Sequence, residues 1–140
     1  MKVQPYLFLE GRCEEALEFY ARALGAKVSG VMRYKDSPEP QASCAGLPAG
    51  FEQKVMHAAM TIGETTVMAS DGRVSGQPDF KGIGLTLEVE DEATAKRRFD
   101  ALAEGGQVQM PLGKTFFAPA FGMVSDRFGV LWMVLVPMPG

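Results

Sequence analysis

An internal repeat is the sequence feature that most limits how this chain can fold. Seven residues between positions 7 and 28 recur 80 positions later in the same order. The matched pairs are Leu7 with Leu87, Glu10 with Glu90, Phe19 with Phe99, Ala21 with Ala101, Ala23 with Ala103, Gly25 with Gly105 and Val28 with Val108. They preserve the hydrophobic phase over a strand, a helix and the glycine that ends it, which chance does not explain. The sequence therefore predicts two copies of one structural unit.

The first copy has the pattern β-α-β-β-β. Alternation over residues 3–9 predicts a strand, and helical spacing over residues 13–24 predicts a helix that ends at Gly25. Residues 26–34 predict a weaker strand. Residues 36–50 contain three prolines and predict a long loop, which in a compact domain is usually functional or mobile. Whether this loop closes a pocket stays open at this point.

Residues 54–71 predict a β-hairpin about Gly63-Glu64 and contain the only histidine of the chain. Side chains alternate between the two faces of a strand. His57 therefore lies on the face opposite Met60 and Ile62. We expect a core on the apolar side of this sheet and a pocket that contains His57 on the other side.

The second copy repeats the pattern. It predicts a strand over residues 83–89, a helix over 91–104, a strand over 107–112 and a closing hairpin of strands 121–125 and 130–136. Residues 113–120 form an aromatic-rich loop, and residues 73–81 read as a linker. The sequence thus predicts one domain, 1–140, made of module 1–72 and module 82–140 joined by the 73–81 linker.

Composition excludes several classes of protein. Apolar residues make up 46% of the 140 residues, charged residues 22%, and the net charge is −3. These values predict a folded, soluble protein that lacks the excess positive charge needed to bind nucleic acid and has no affinity for membranes. The first ten residues lack the form of a signal peptide, so we expect a cytoplasmic protein. Cys13 and Cys44 fit neither a disulfide framework nor a zinc motif, and we expect both to be free thiols.

Two acidic residues have a predicted structural role. Asp71 follows a strand and Asp126 stands in the turn of the closing hairpin. Aspartate at such positions commonly caps backbone N–H groups. We therefore expect both to stabilise the fold, not to act chemically.

Four segments carry a family resemblance. PYLFLEG, EEALEFYARALGAKV, VMHAAMTIGETTVMASD and FGMVSDRFGVLWMV resemble the PhnB-like branch of the vicinal oxygen chelate superfamily, which groups glyoxalases, bleomycin-resistance proteins and extradiol dioxygenases. The resemblance spans nearly the whole chain. It implies a glyoxalase-like α+β fold in which two β-α-β-β-β modules form a curved, incomplete barrel around a cavity. It also implies a homodimer.

The resemblance has consequences for metal binding. In metal-using members, the first and last strands of each module supply one ligand each, and these positions correspond to Gln4, Met68, Gly84 and Met133. None is a histidine or a carboxylate, whereas divalent first-row metals favour such ligands. We therefore predict no metal and no other cofactor. A divalent ion held by His57 and Gln4 remains the alternative.

Residues around the implied cavity are the predicted ligand contacts. His57 could be structural, could contact a ligand, or could serve as a catalytic or metal-binding group. Phe116 and its aromatic neighbours could form an apolar lid, or could complete a core or a dimer contact. The predicted ligand-binding set is Gln4, Tyr6, His57, Met68, Phe116, Phe121, Met123 and Met133.

Three functions fit the sequence. The first is binding of a small hydrophobic or planar molecule, as in a sequestering or bleomycin-resistance type of protein with the usual metal ligands lost. The second is a metal-dependent lyase or dioxygenase that uses His57. The third is a non-catalytic assembly module. Whether the chain is an enzyme stays open, because function depends on the site and not on the fold.

Overall fold

The computed structural model describes residues 1–37 and 46–139. The chain divides into two compact units, Met1–Pro78 and Asp79–Gly140. The boundary falls inside the 73–81 segment that the sequence marks as a linker. Cys44 and the centre of the predicted loop 36–50 lie outside the described residues.

The first unit contains one helix and a four-stranded mixed sheet. Its elements are β1 (Tyr6–Phe8), α1 (Cys13–Leu24), β2 (Lys27–Arg33), β3 (Val55–Ile62) and β4 (Thr65–Ser70), with short 3₁₀ turns at Tyr34–Asp36 and Phe51–Gln53. The strand order is β1-β4-β3-β2. The β1–β4 pair is parallel and the other pairs are antiparallel.

The second unit has the same topology. Its elements are β5 (Gly84–Glu88), α2 (Glu92–Ala103), β6 (Gln107–Gly113), β7 (Ala120–Ser125) and β8 (Leu131–Val136). The strand order is β5-β8-β7-β6, again with one parallel pair, β5–β8. The predicted α+β fold of two β-α-β-β-β modules is therefore confirmed.

The first strand is shorter than the sequence predicts. The alternating pattern covers residues 3–9, but β1 contains only Tyr6–Phe8. Pro5 has no N–H to donate, although its carbonyl accepts a hydrogen bond from the Met68 N–H at 3.0 Å. Regular pairing therefore begins at Tyr6, and Gln4 lies just before the strand.

The faces of the hairpin follow the predicted alternation with one exception. Ala58, Met60 and Ile62 are buried and His57 is exposed. Val55, which alternation places on the face of His57, is fully buried. Its N–H donates to the Asp71 carboxylate and its carbonyl accepts a hydrogen bond from the Asp71 N–H, so the first residue of β3 turns inward.

Both predicted structural aspartates are buried and fully hydrogen-bonded, as the sequence predicts. Asp71 accepts the N–H groups of Cys13 and Val55, both at 2.7 Å, and thereby joins the start of α1 to the start of β3. Asp126 accepts three hydrogen bonds within the closing hairpin. The donors are the Phe128 N–H at 2.9 Å, the Val130 N–H at 3.1 Å and the Trp132 indole N–H at 2.9 Å.

Cys13 is a free thiol at the start of α1, as predicted, and it is fully buried. Burial, together with the negative charges of Asp71 and Glu14, raises the pKa of the Cys13 thiol from its ordinary value of 9.0 to about 12. A thiol that keeps its proton at neutral pH is a poor nucleophile. This position therefore contributes packing and not chemistry.

The thiol makes a testable contribution to alkaline stability. The free energy of unfolding is expected to fall above pH 9, because the unfolded thiol ionises there while the folded thiol keeps its proton up to about pH 12. Between pH 9 and about pH 12, the Cys13 thiol lowers the free energy of unfolding by up to about 1.4 kcal/mol for each pH unit. Below pH 9 it does not change the free energy of unfolding. Denaturant titrations at several pH values should show a smaller alkaline loss for Cys13→Ala than for Cys44→Ala, which keeps the buried thiol. Equal slopes in the two variants would contradict the assignment.

No helix in the described ranges combines the length and the apolar character needed to cross a membrane.

Candidate functional site

One face of the first sheet carries aromatic and methionine side chains around the only histidine. In the β1–β4 register Tyr6 lies opposite Met68, and in the β2–β3 register Met32 lies opposite His57. Residues directly opposite each other share a face of the sheet, and this face is the one that the core does not cover. Phe8, on the same face, is 54% exposed. We call Tyr6, Phe8, Met32, His57 and Met68 the histidine face.

Tyr6 is the centre of this face. Its hydroxyl oxygen lies 3.3 Å from His57 Nδ1, at hydrogen-bond distance. Its ring centroid lies 4.8 Å from that of Phe8 and 5.7 Å from that of His57, both in tilted arrangements. The face therefore combines one polar pair with an apolar, aromatic surface.

The second sheet presents the other predicted contacts. Met123 lies directly opposite Met133 in the β7–β8 register, and Phe121 is two residues along β7 on the same face. The Phe121 ring makes an edge contact with Phe117, at 5.0 Å between centroids, and Phe117 makes another with Phe116 at 5.1 Å. Phe116 is 93% exposed, so this aromatic ladder ends in solvent.

The turn that carries this ladder is fixed by local hydrogen bonds. The Thr115 N–H donates to the Ala118 carbonyl at 3.0 Å, and the Ala118 N–H donates to the Thr115 hydroxyl at 3.1 Å. Phe116 therefore stands exposed on a turn that is closed by two hydrogen bonds.

The structure thus groups most of the predicted ligand contacts by unit. Tyr6, His57 and Met68 come together on the first sheet, whereas Gln4 precedes the strand. The predicted contacts of the second unit, Phe116, Phe121, Met123 and Met133, lie on its sheet and on the turn before β7.

Sequence reasoning missed two members of the histidine face. Phe8 shares the parity of Tyr6, so strand alternation could have identified it. Met32 could not be found this way, because register shifts in the β2–β3 pairing break the alternation of β2.

The positions implied for metal ligands do not fit a divalent ion. Gly84 has no side chain, and a Cβ there would lie 3.2 Å from the terminal methyl of Met133. Thioether and amide groups are weak donors for such ions. Within residues 1–37 and 46–139, no three or more His, Cys, Asp or Glu side chains are placed to hold a metal. The side chains at these four positions therefore do not fit a metal ion that could take part in a reaction.

A separate polar cavity of about 350 Å³ lies in the first unit. It is lined by Gly11, Glu14, Arg33, Gln53, Lys54 and Asp71. Arg33 forms an ion pair with Glu14 at 2.8 Å and also donates to the Gln53 carbonyl. The hydrogen bond from Arg33 lowers the pKa of Glu14.

The other charged groups of this cavity are also occupied. Lys54 donates to the Gly11 carbonyl at 3.0 Å, and both carboxylate oxygens of Asp71 accept backbone N–H groups. Each charged side chain that lines the cavity thus already has a hydrogen-bond or ion-pair partner, so the histidine face is the stronger candidate for ligand binding.

Solved structures show where this fold occurs. The crystal structure of protein PA1353 from Pseudomonas aeruginosa is 41% identical, with a TM-score of 0.83, and covers 99% of each chain. A PhnB protein from Bacillus cereus is 29% identical, with a TM-score of 0.78, over 97% of this chain and 99% of that one. The chain is therefore similar to a PhnB protein in both sequence and fold.

Sequence comparison agrees. Protein YjdN of Escherichia coli strain K12 is 35% identical over an alignment of 140 positions, which covers 97% of this chain and 95% of that protein. The family model described as the Glyoxalase/Bleomycin resistance protein/Dioxygenase superfamily matches residues 2–134. The chain belongs to this superfamily.

Proposed function

We propose that this protein binds a small molecule that places an apolar or planar part on the histidine face, and that it does so without a metal. A sequestering protein, as in the resistance branch of the superfamily, is the form of this function that needs no reaction chemistry. The observation that carries the proposal is the Tyr6–His57 pair set among Phe8, Met32 and Met68.

Two physical arguments support binding at this face. Apolar surface exposed to water is costly, and contiguous exposed patches typically mark a binding site. A single polar pair within such a surface is the usual arrangement for orienting a small ligand, because apolar contacts supply affinity and polar contacts supply direction.

Probe binding tests this proposal. Titration with the fluorescent planar probe 1-anilinonaphthalene-8-sulfonate should show saturable binding. His57→Ala and Tyr6→Ala should each raise the dissociation constant by about tenfold, the equivalent of about 1.4 kcal/mol. Neither variant should lose much stability, since His57 is exposed and Tyr6 is half-buried.

A matched control is available in the second unit. Ile83 is 69% exposed and lies outside both sheets, so Ile83→Ala should leave probe affinity unchanged. Equal affinity in all four proteins would show that the probe binds elsewhere. A large drop in thermal stability for His57→Ala would assign the histidine a structural role instead.

Metal content separates this function from a metal-dependent lyase or dioxygenase. Chelator-stripped protein exposed to nickel, zinc, manganese or ferrous iron and then desalted should retain far less than one ion per chain, because the implied ligand positions hold no imidazole or carboxylate. Mass spectrometry measures the ratio. A ratio near one that disappears in His57→Ala would overturn the metal-free proposal.

Homodimerisation and a cytoplasmic location are parts of the same proposal. The first is supported by β2, which stands at one end of its sheet and exposes Val28 and Val31. The second is supported by the free Cys13 thiol, as expected in a reducing compartment. Light scattering would measure the mass of the assembly.

A further inference from the structure

His57 has two ring nitrogens, and only one of them has a partner in the described part of the chain. Nδ1 lies 3.3 Å from the Tyr6 hydroxyl, whereas no hydrogen bond is formed by Nε2 within these residues. The side chain is exposed, so Nε2 is accessible from the histidine face. Neutral imidazole carries one proton, and the nitrogen without it accepts hydrogen bonds.

The chemistry of the pair indicates where that proton resides. A phenol O–H is a good donor, and the unprotonated imidazole nitrogen is a better acceptor than a phenol oxygen. The favoured arrangement therefore has Tyr6 donating to Nδ1. The hydrogen bond made at one ring nitrogen determines whether the other nitrogen carries the proton. Because Nδ1 accepts from Tyr6, the proton of the neutral ring lies on Nε2.

We propose that Tyr6 sets His57 as a hydrogen-bond donor through Nε2, and that the histidine face consequently selects ligands that combine an oxygen acceptor, such as a carboxylate or carbonyl, with a planar apolar part. This inference rests on the proposed function. Phe8 and Met68 would contact the apolar part, and Tyr6 acts as a positioning residue through His57.

The tautomer can be measured without any ligand. The chain has one histidine, so a long-range ¹H–¹⁵N spectrum contains a single imidazole pattern. At about pH 8, the pattern should be that of the Nε2–H tautomer. Tyr6→Phe should shift both nitrogen resonances toward the averaged values of an unconstrained imidazole.

Tyr34→Phe is the matched control for this measurement. It removes a hydroxyl that donates to the Gly72 carbonyl at 2.9 Å, so the nitrogen resonances of His57 should stay unchanged. An Nδ1–H tautomer in the wild-type protein would overturn the inference. A Tyr6→Phe spectrum identical to the wild-type spectrum would overturn it as well.

A pair of probes tests the ligand class. 2-Naphthoate presents oxygen acceptors and 2-naphthylmethylammonium presents donors on the same ring system. The wild-type protein should bind the naphthoate at least tenfold more tightly, as expected for a charge-assisted hydrogen bond. His57→Gln, which keeps a donor near the place of Nε2, should retain part of this preference. His57→Asn, which places its amide nearer to Nδ1, should lose it.

The outcomes separate this inference from the proposed function. Equal binding of both probes, or a preference for the ammonium compound, would leave small-molecule binding intact and overturn the selection of acceptors. If the Nε2–H tautomer is observed but neither probe binds, the result would contradict the proposed function. The proposed ligand class would then be contradicted as well.

Discussion

Asp71→Ala is expected to lower the free energy of unfolding by about 2–5 kcal/mol, because it leaves two buried backbone donors without an acceptor. The Asp71 side chain is only 2% exposed, and water cannot easily replace it. Its two oxygens hold Cys13 and Val55, which are 58 and 16 positions away in the chain. The loss should therefore affect α1 and β3 together.

Two further variants make this prediction specific. Asp71→Asn keeps the shape but can offer an oxygen to only one of the two N–H groups, so its loss should be intermediate. Asp79→Ala removes an exposed side chain that accepts one backbone N–H, from Lys81, and should change stability by less than about 0.5 kcal/mol. Guanidinium unfolding measures all three. An Asp71→Ala protein as stable as the Asp79→Ala protein would refute the role of this carboxylate.

Asp126→Ala should cause a loss of comparable or larger size in the second unit, about 3–5 kcal/mol, since three buried donors lose their acceptor. These are the N–H groups of Phe128 and Val130 and the indole N–H of Trp132. Trp132 is the only tryptophan of the chain, so its fluorescence reports directly on this site. We expect a changed emission spectrum of the folded variant as well as an earlier unfolding transition.

An exposed aspartate in the same unit provides the control. Asp100 forms a surface ion pair with Lys96 at 2.8 Å, and such pairs contribute little. Asp100→Ala should leave both the emission spectrum and the unfolding midpoint close to those of the wild type. An unchanged Trp132 emission in Asp126→Ala would show that the indole hydrogen bond does not form in solution.

The fold was largely predictable because its signals are local. The bounds of α1, β3 and β4 match the sequence pattern, since helical spacing, strict alternation and a glycine turn are each contained within a few residues. The repeat then extends this pattern to the second unit. Ends of strands were less predictable, as β1 shows: its pairing depends on whether the nitrogen of Pro5 can donate.

The site was only partly predictable because its contacts are not local. Alternation correctly places His57 on the uncovered face of its strand. It cannot reveal that Tyr6, 51 positions earlier, supplies a hydroxyl to Nδ1, because that contact requires β1 to pair with β4. In the same way, the sequence marks Asp71 as a cap, but only the fold identifies Cys13 and Val55 as its donors.

The two units share one topology, but the side chains at matching positions have diverged. Matching their registers places Tyr6 on Thr86, Met68 on Met133 and His57 on Phe121. The hydroxyl–imidazole pair is therefore present in one copy and replaced in the other by a threonine and a phenylalanine. The two units therefore keep the same strand order but differ in the side chains at these positions, so one copy cannot take over the role of the other.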